Sequence, residues 1–178
     1  ELIIKSYYHS FFAGKNHFVN LAVGRAGNVI GGGDWAKDRI IVDTVKAWAN
    51  NHPVEIRCPE ATRPWQHVLE PLSGYLVLGA KLYGKNEIVG EAFNFGPRAE
   101  QNRSVIDLLN SMSNFWEASL PESNYIITDN IPFKEAGLLK LNCDKALFHL
   151  DWDATLSYDE TVKFTSEWYS NYYSKSTD

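Results

Sequence analysis

The stretch that most limits what this chain can fold into is the passage from His17–Val23 (HFVNLAV) into Gly24–Asp34 (GRAGNVIGGGD). A short apolar run bounded by turn residues fits a strand buried in a parallel sheet. The eleven residues that follow hold five glycines. Glycine lets a backbone turn sharply and lets a ligand or a neighbouring side chain come close. A dinucleotide phosphate loop asks for more: Gly-x-Gly-x-x-Gly, a helix that opens at once, and an acidic residue about 20 positions on. Here the spacing differs and the next helix starts late, which rejects that loop. Two readings remain: a tight connection, or backbone that meets a ligand at the carboxyl end of a parallel strand.

Elsewhere the chain alternates helix and strand patterns. Glu1–Phe12 reads as an amphipathic helix already under way, ending at Gly14 as its C′ glycine. Its uncapped start, without an initiator Met, leads to the expectation that the chain is a piece of something longer. Asp38 is placed to cap a helix through Trp48, ending near Asn50-Asn51. Val54–Arg57 and Arg63–Val68 read as strands, and Leu69–Tyr83 as a helix stopped by Gly84. Glu91–Phe95 reads as a strand closed by Gly96-Pro97. Ser104 is set to cap Val105–Phe115, and Tyr125–Thr128 is a further strand. Asp144–Leu150 and Tyr158–Tyr173 are helical, the latter with Asp159 and Glu160 in its first turn, and Ser174–Asp178 frays. This is an α/β pattern read as a single unit over residues 1–178. Phe18–Val23 and Trp65–Val68 are expected as parallel strands of a partial Rossmann-like sheet. Val54–Ile56 and Ala92–Phe95 are expected in a smaller lobe.

Composition narrows the function classes. The 178 residues suffice for one domain with a substantial core. Net charge is −5 with no basic stripe, which argues against a nucleic-acid surface. No apolar run has the length of a membrane span and no signal-peptide pattern opens the chain, so no membrane partner and a cytoplasmic setting are expected. Cys58 and Cys143 form no Cys-x-x-Cys pair, and the five His give no His-x-x-x-His, which excludes a disulfide framework and a zinc site. The sequon Asn102-Arg103-Ser104 reads as chance without a secretory signal. Aromatics are abundant, with six Trp; their usual role is core packing, and their alternative role is to line sites for sugars or bases.

Two further segments could carry chemistry. Arg63 opens Arg-Pro-Trp-Gln-His-Val; its guanidinium could fork onto a phosphate, or form a surface ion pair. Asn94 sits in the apolar strand Glu-Ala-Phe-Asn-Phe-Gly-Pro and needs a partner, either backbone or ligand.

Taken together and in order, GRAGNVIGGGDW, RPWQHVLEPLSGYL, EAFNFGP, LKLNCDKALFHLDW and a Tyr-rich final helix resemble the C-terminal part of the nucleotide-sugar 4,6-dehydratases, which are extended short-chain dehydrogenases. The wording is closest to the CDP-glucose branch, and the resemblance covers essentially the whole chain. It implies a fold in which an N-terminal Rossmann half binds NAD and carries a Tyr-x-x-x-Lys pair with a nearby Thr or Ser. Those parts would lie upstream of Glu1, leaving the smaller, substrate-binding lobe here, with no NAD expected on this chain. Tyr7 and Tyr8 are each followed four positions later by Phe, so neither begins a Tyr-x-x-x-Lys pair, and both are expected to pack on their helix.

The resemblance also implies which residues meet the CDP-sugar. Asn28, Arg63 and Asn94 match residues near the diphosphate. Arg25 belongs to the same motif as Asn28, to ligand or to structure. Trp35 and Arg39 are implied near the nucleotide. Glu135 and Lys145 match a late region read as structural. A homo-oligomer is expected. Two alternatives stay open: a related epimerase or decarboxylase that shares the phosphate contacts, and a stand-alone carbohydrate-binding or oligomer-forming module without catalysis.

Overall fold

A computed structural model describes residues 1–14, 19–84, 86–117, 119–128 and 139–175. Helix α1 spans Leu2–Phe11, and Gly14 follows at φ 69°, the left-handed conformation a C′ glycine adopts without strain. Strand β1 is Val23–Ala26 and β2 is Val29–Ile30. Helix α2 covers Ile40–Ala49, followed by β3 (Val54–Ile56), β4 (Thr62–Arg63) and β5 (Gln66–His67). Helix α3 runs Leu69–Gly84, before β6 (Ala92–Phe95) and β7 (Arg103–Ser104). The remaining elements are α4 (Val105–Ser113), β8 (Tyr125–Ile127), α5 (Asp144–Leu150) and α6 (Tyr158–Lys175).

Three strand pairs are parallel: β1 with β6, β2 with β5, and β3 with β8; β4 pairs antiparallel with β7. The class is α/β, with parallel pairs joined through helices, as the alternation predicts.

Several boundaries differ from the sequence reading. The first strand begins at Val23 rather than Phe18; residues 19–22 are not strand, and His17 and Phe18 lie outside the described residues. Pairing decides this. Val23 stands opposite Ala92 and Ala26 opposite Phe95, so the strand occupies the first residues of the glycine stretch. The absent side chain at Gly24 makes room for a neighbour, since a Cβ there would meet the Tyr75 ring at 2.7 Å. Ala92–Phe95, expected in the smaller lobe, is the partner of β1 instead. The Arg63–Val68 run splits into β4 and β5 around Pro64, which has no N–H to give to a ladder. Asp38 does not cap α2: its φ is 61°, and Arg39 takes the N-cap position with extended backbone. Ser104 does cap α4, closing a reciprocal box with Asp107.

One core cluster joins α2, α4 and α6 through Val45, Trp48, Leu108, Met112 and Val162. A second packs Phe93 and Phe95 of β6 against Leu78, Leu150 and Trp152. Trp152 is anchored by an indole N–H donated to Ser73 Oγ at 2.9 Å. Buried Glu70 ties the start of α3 to the approach to α6, its carboxylate accepting from the backbone N–H of Thr155 at 3.0 Å and of Leu156 at 2.6 Å. Among the described residues no helix is long and apolar enough to cross a membrane.

Candidate functional site

A cavity of about 560 Å³ lies where parallel strands deliver their carboxyl ends. Ala26 and Asn28 reach it from the end of β1, and Arg57 and Cys58 from just past β3. The start of α2 contributes Arg39 and Ile40, the turn before it Asp38, β4 Arg63, and α6 Tyr169. Clefts at this end of a parallel sheet are where open α/β folds hold ligands.

Two lining residues, Asn28 (φ 50°) and Asp38 (φ 61°), are non-glycine residues in the left-handed region. Asn and Asp tolerate that region better than other side chains, which accounts for their presence at these two turns.

The charge around the cavity is mixed. Arg39, Arg57 and Arg63 line it together with Asp34, Asp38, Asp43 and Glu55. Arg39 Nε pairs with Asp34 at 3.4 Å, and one Arg63 N–H reaches the Thr62 carbonyl at 3.0 Å. Burial pushes the Asp43 carboxyl above its usual range, with repulsion from Asp38 adding; Lys46 and Arg57 pull the other way. An anion entering here finds cations within reach, and a hydrogen-bond donor finds carboxylates.

The glycine loop is packed from behind by aromatic and aliphatic side chains. A Cβ on Gly32 would overlap the indole of Trp168, and one on Gly31 would come 2.9 Å from Val68. The Tyr169 hydroxyl locks the loop's end, donating to the Asp34 carbonyl at 2.8 Å and accepting from the Asp34 N–H at 3.1 Å. Those glycines therefore make room for α6 and the residue that follows β5. The loop does not fit a dinucleotide pyrophosphate, which requires glycine faces open to the ligand.

Of the sequence-derived site residues, the structure brings Asn28, Arg63 and Arg39 to the cavity. Trp35 sits beside it, its ring against Tyr169 at 5.5 Å and Tyr172 at 4.9 Å, with Lys46 5.9 Å from its centre. Arg25 and Asn94 stand opposite each other in the β1–β6 ladder and are not among the lining residues. Arg25 forks onto Glu1, just ahead of α1, at 3.0 and 3.1 Å. Asn94 donates to the Asn142 carbonyl at 2.8 Å. Lys145 pairs with Glu91 and lies over the Phe93 ring; Glu135 lies outside the described residues. Sequence reasoning does not single out Arg57, Asp43, Glu55 or Tyr169 for the site. No motif marks them; they converge because α2, β3 and α6 do.

Parallel strand pairs, helical connections and a carboxyl-end cleft define an α/β protein of the Rossmann type. No family model matches the sequence. Over 172 residues, 95% of this chain and 47% of the relative, it is 42% identical to CDP-glucose 4,6-dehydratase of Salmonella typhimurium. The chain thus spans about half the length of the curated relative it matches. Its fold resembles UDP-glucuronic acid 4-epimerase from Bacillus cereus, solved with UDP-glucuronic acid and NAD: the TM-score is 0.75 at 18% identity, covering 94% of this chain and 49% of that one. It also resembles dTDP-glucose 4,6-dehydratase from Bacillus anthracis, solved with NAD, at a TM-score of 0.72 and 16% identity, covering 96% of this chain and 49% of that one. Along nearly its whole length the chain is thus similar to part of a nucleotide-sugar 4,6-dehydratase, and it shares its fold with nucleotide-sugar epimerases and dehydratases.

Proposed function

We propose that this chain is the sugar-nucleotide-binding portion of an NAD-dependent CDP-glucose 4,6-dehydratase. The observation that supports this most is the cavity holding Asn28 and Arg63 at the carboxyl ends of the strands, in a chain 42% identical to that dehydratase over 95% of its length. A guanidinium fork and an amide N–H are suited to a diphosphate without a metal, because charge-assisted hydrogen bonds to phosphate oxygens offset its desolvation. Arg57 and Arg39 add positive charge, and the Trp35 ring offers an apolar face for the nucleotide at the cavity's edge. Asn94 and Arg25, read from the sequence as further substrate contacts, do not line the cavity and pair with Asn142 and Glu1.

NAD belongs to the parent enzyme rather than to this glycine loop, which is filled by Trp168 and Val68. The chain by itself is then inactive: it neither retains NAD nor releases a 4-keto-6-deoxy product. The parent is a cytoplasmic homo-oligomer that supplies deoxysugars for lipopolysaccharide. The epimerase alternative is kept open by the fold likeness to UDP-glucuronic acid 4-epimerase. Product analysis separates them, since an epimerase returns a sugar that keeps its C6 oxygen.

The test is Arg63→Ala in the full-length parent. Losing a hydrogen bond to a charged group costs about 1.5–3 kcal/mol, so KM for CDP-glucose should rise roughly ten- to a hundredfold. Arg63→Lys should recover part of that, since a point charge cannot reproduce the planar fork. NAD affinity should hold steady. Unchanged KM, or equal weakening of substrate and NAD, would make Arg63 a structural residue.

A further inference from the structure

Gln66 on β5 is almost fully buried, at 1% exposure. Its amide Nε2 donates to two carbonyls at once: Gly27 at 2.9 Å and Phe95 at 2.9 Å. Those carbonyls lie at the ends of the two paired strands, β1 and β6, just where the chain leaves the ladder. The amide orientation is fixed by this pair, because only the NH₂ end can face two acceptors. The backbone N–H of the same residue donates to the Asn28 carbonyl at 3.2 Å. One residue therefore holds the peptide units on both sides of the Asn28 Cα, through its side chain before it and its main chain after it. Asn28 is the cavity-lining residue held at φ 50°. Leu141 completes the mount, packing where side chains at Gly27 and Gly96 would otherwise stand.

We infer that Gln66 is a positioning residue: by clamping the Gly27 and Phe95 carbonyls it holds Asn28 in the left-handed conformation that presents its amide to the cavity. The role rests on the sugar-nucleotide reading of that cavity only for what Asn28 meets, and not for the clamp itself. An apolar residue of the same shape would take this donor from the buried Phe95 carbonyl and the partly buried Gly27 carbonyl, and the turn would rearrange to find them partners.

Two measurements separate the clamp from the ligand. Crystal structures of the wild-type and Gln66→Met chains read the Asn28 φ directly with no ligand present. Calorimetric titration with CDP-glucose reads the consequence, in Gln66→Met, Asn28→Ala and the double variant. Asn28 should leave positive φ in Gln66→Met, and affinity should fall about tenfold, the equivalent of one hydrogen bond. In the Asn28→Ala background the same Gln66→Met change should alter affinity by less than about twofold, because nothing remains to position. If Asn28 keeps its φ in Gln66→Met, or the two losses simply add, the clamp role is overturned. If wild-type protein binds no CDP-glucose, the substrate reading fails while the φ comparison still decides the clamp. Should Gln66→Met not fold, Gln66→Glu takes its place. Buried and protonated, the new carboxyl keeps one donor and should hold Asn28; ionised at higher pH it should release it. A carboxylate at this position that ionises without moving Asn28 counts against the role.

Discussion

Helices α1 and α2 are each ten residues long and each carry an apolar stripe, yet they meet different fates. Helix α2 buries Ile41, Val42, Thr44, Val45 and Trp48; α1 buries nothing, with Leu2 at 86% and Ile3 at 82% exposure. A stripe says that a face has something to gain from cover. It does not say what covers it, and helices with the same local signature differ here in what lies opposite. The Trp48 indole of α2 meets Trp116, just past the end of α4, edge-on at 5.7 Å and donates to the Asn124 carbonyl ahead of β8 at 2.8 Å. Ile3 and Ile4 only line a shallow apolar hollow with Leu21 and Val23.

The contrast can be broken by substitution. Trp48→Ala should cost about 3–5 kcal/mol, the usual loss for truncating a packed aromatic core residue, read by urea denaturation. A loss under about 1 kcal/mol would mean the α2 face is not what holds the core. Glycines sharpen the same point at a smaller scale. Gly32→Ala drives a methyl into Trp168 and should cost roughly 1–3 kcal/mol. Gly79→Ala, in α3 with nothing within 4 Å, should instead gain roughly 0.5–1 kcal/mol from helix propensity. Equal effects at the two positions would show that packing does not explain the glycine loop.

His67 extends the comparison to charge. It is buried on β5, its Nδ1 accepting from the Leu69 N–H at 3.4 Å, and Phe164 meets its ring edge-on. Burial lowers its pKa below the usual 6.5, with Glu70 pulling the other way. The unfolded chain therefore takes up a proton at a higher pH than the folded one. Stability from this residue is full above about pH 6.5 and is lost as pH falls toward the lower folded value. The drop in melting temperature from about pH 7.5 to about pH 5.5, a window that brackets the ordinary imidazole pKa, should shrink in His67→Gln; identical drops would remove His67 from the account. Smallest of all, Ile3→Ser on the uncovered face of α1 should change monomer stability by no more than about 0.5 kcal/mol. If that face meets a second copy, sedimentation should show weaker self-association in the same variant.

Much of the fold is legible in the sequence. The cap at Ser104, the Gly14 stop, α5 and the strand at Val54 all follow from signals spread over a few residues. So do the segments that supply Asn28, Arg39 and Arg63 to the cavity. The strand at Val23 is not, because the apolarity of residues 19–22 resembles a strand, whereas the ladder with Ala92–Phe95 sets the true register. Asp38 has the chemistry of a cap, but the turn puts it in the left-handed region one residue too early.

By itself the sequence determined the α/β class, the order of its main elements and the likeness to nucleotide-sugar dehydratases, because periodicity, caps, turns and motif wording are local properties of the chain. Only the tertiary structure decided the use of each part. It sent Arg25 to Glu1 and Asn94 to Asn142, and brought Arg57 and Tyr169 to the cavity. It filled the glycine loop with Trp168. Asp34 and Tyr169 stand 135 residues apart and share two hydrogen bonds. Contacts of that range are set by how whole elements pack, and no window of neighbouring residues carries them.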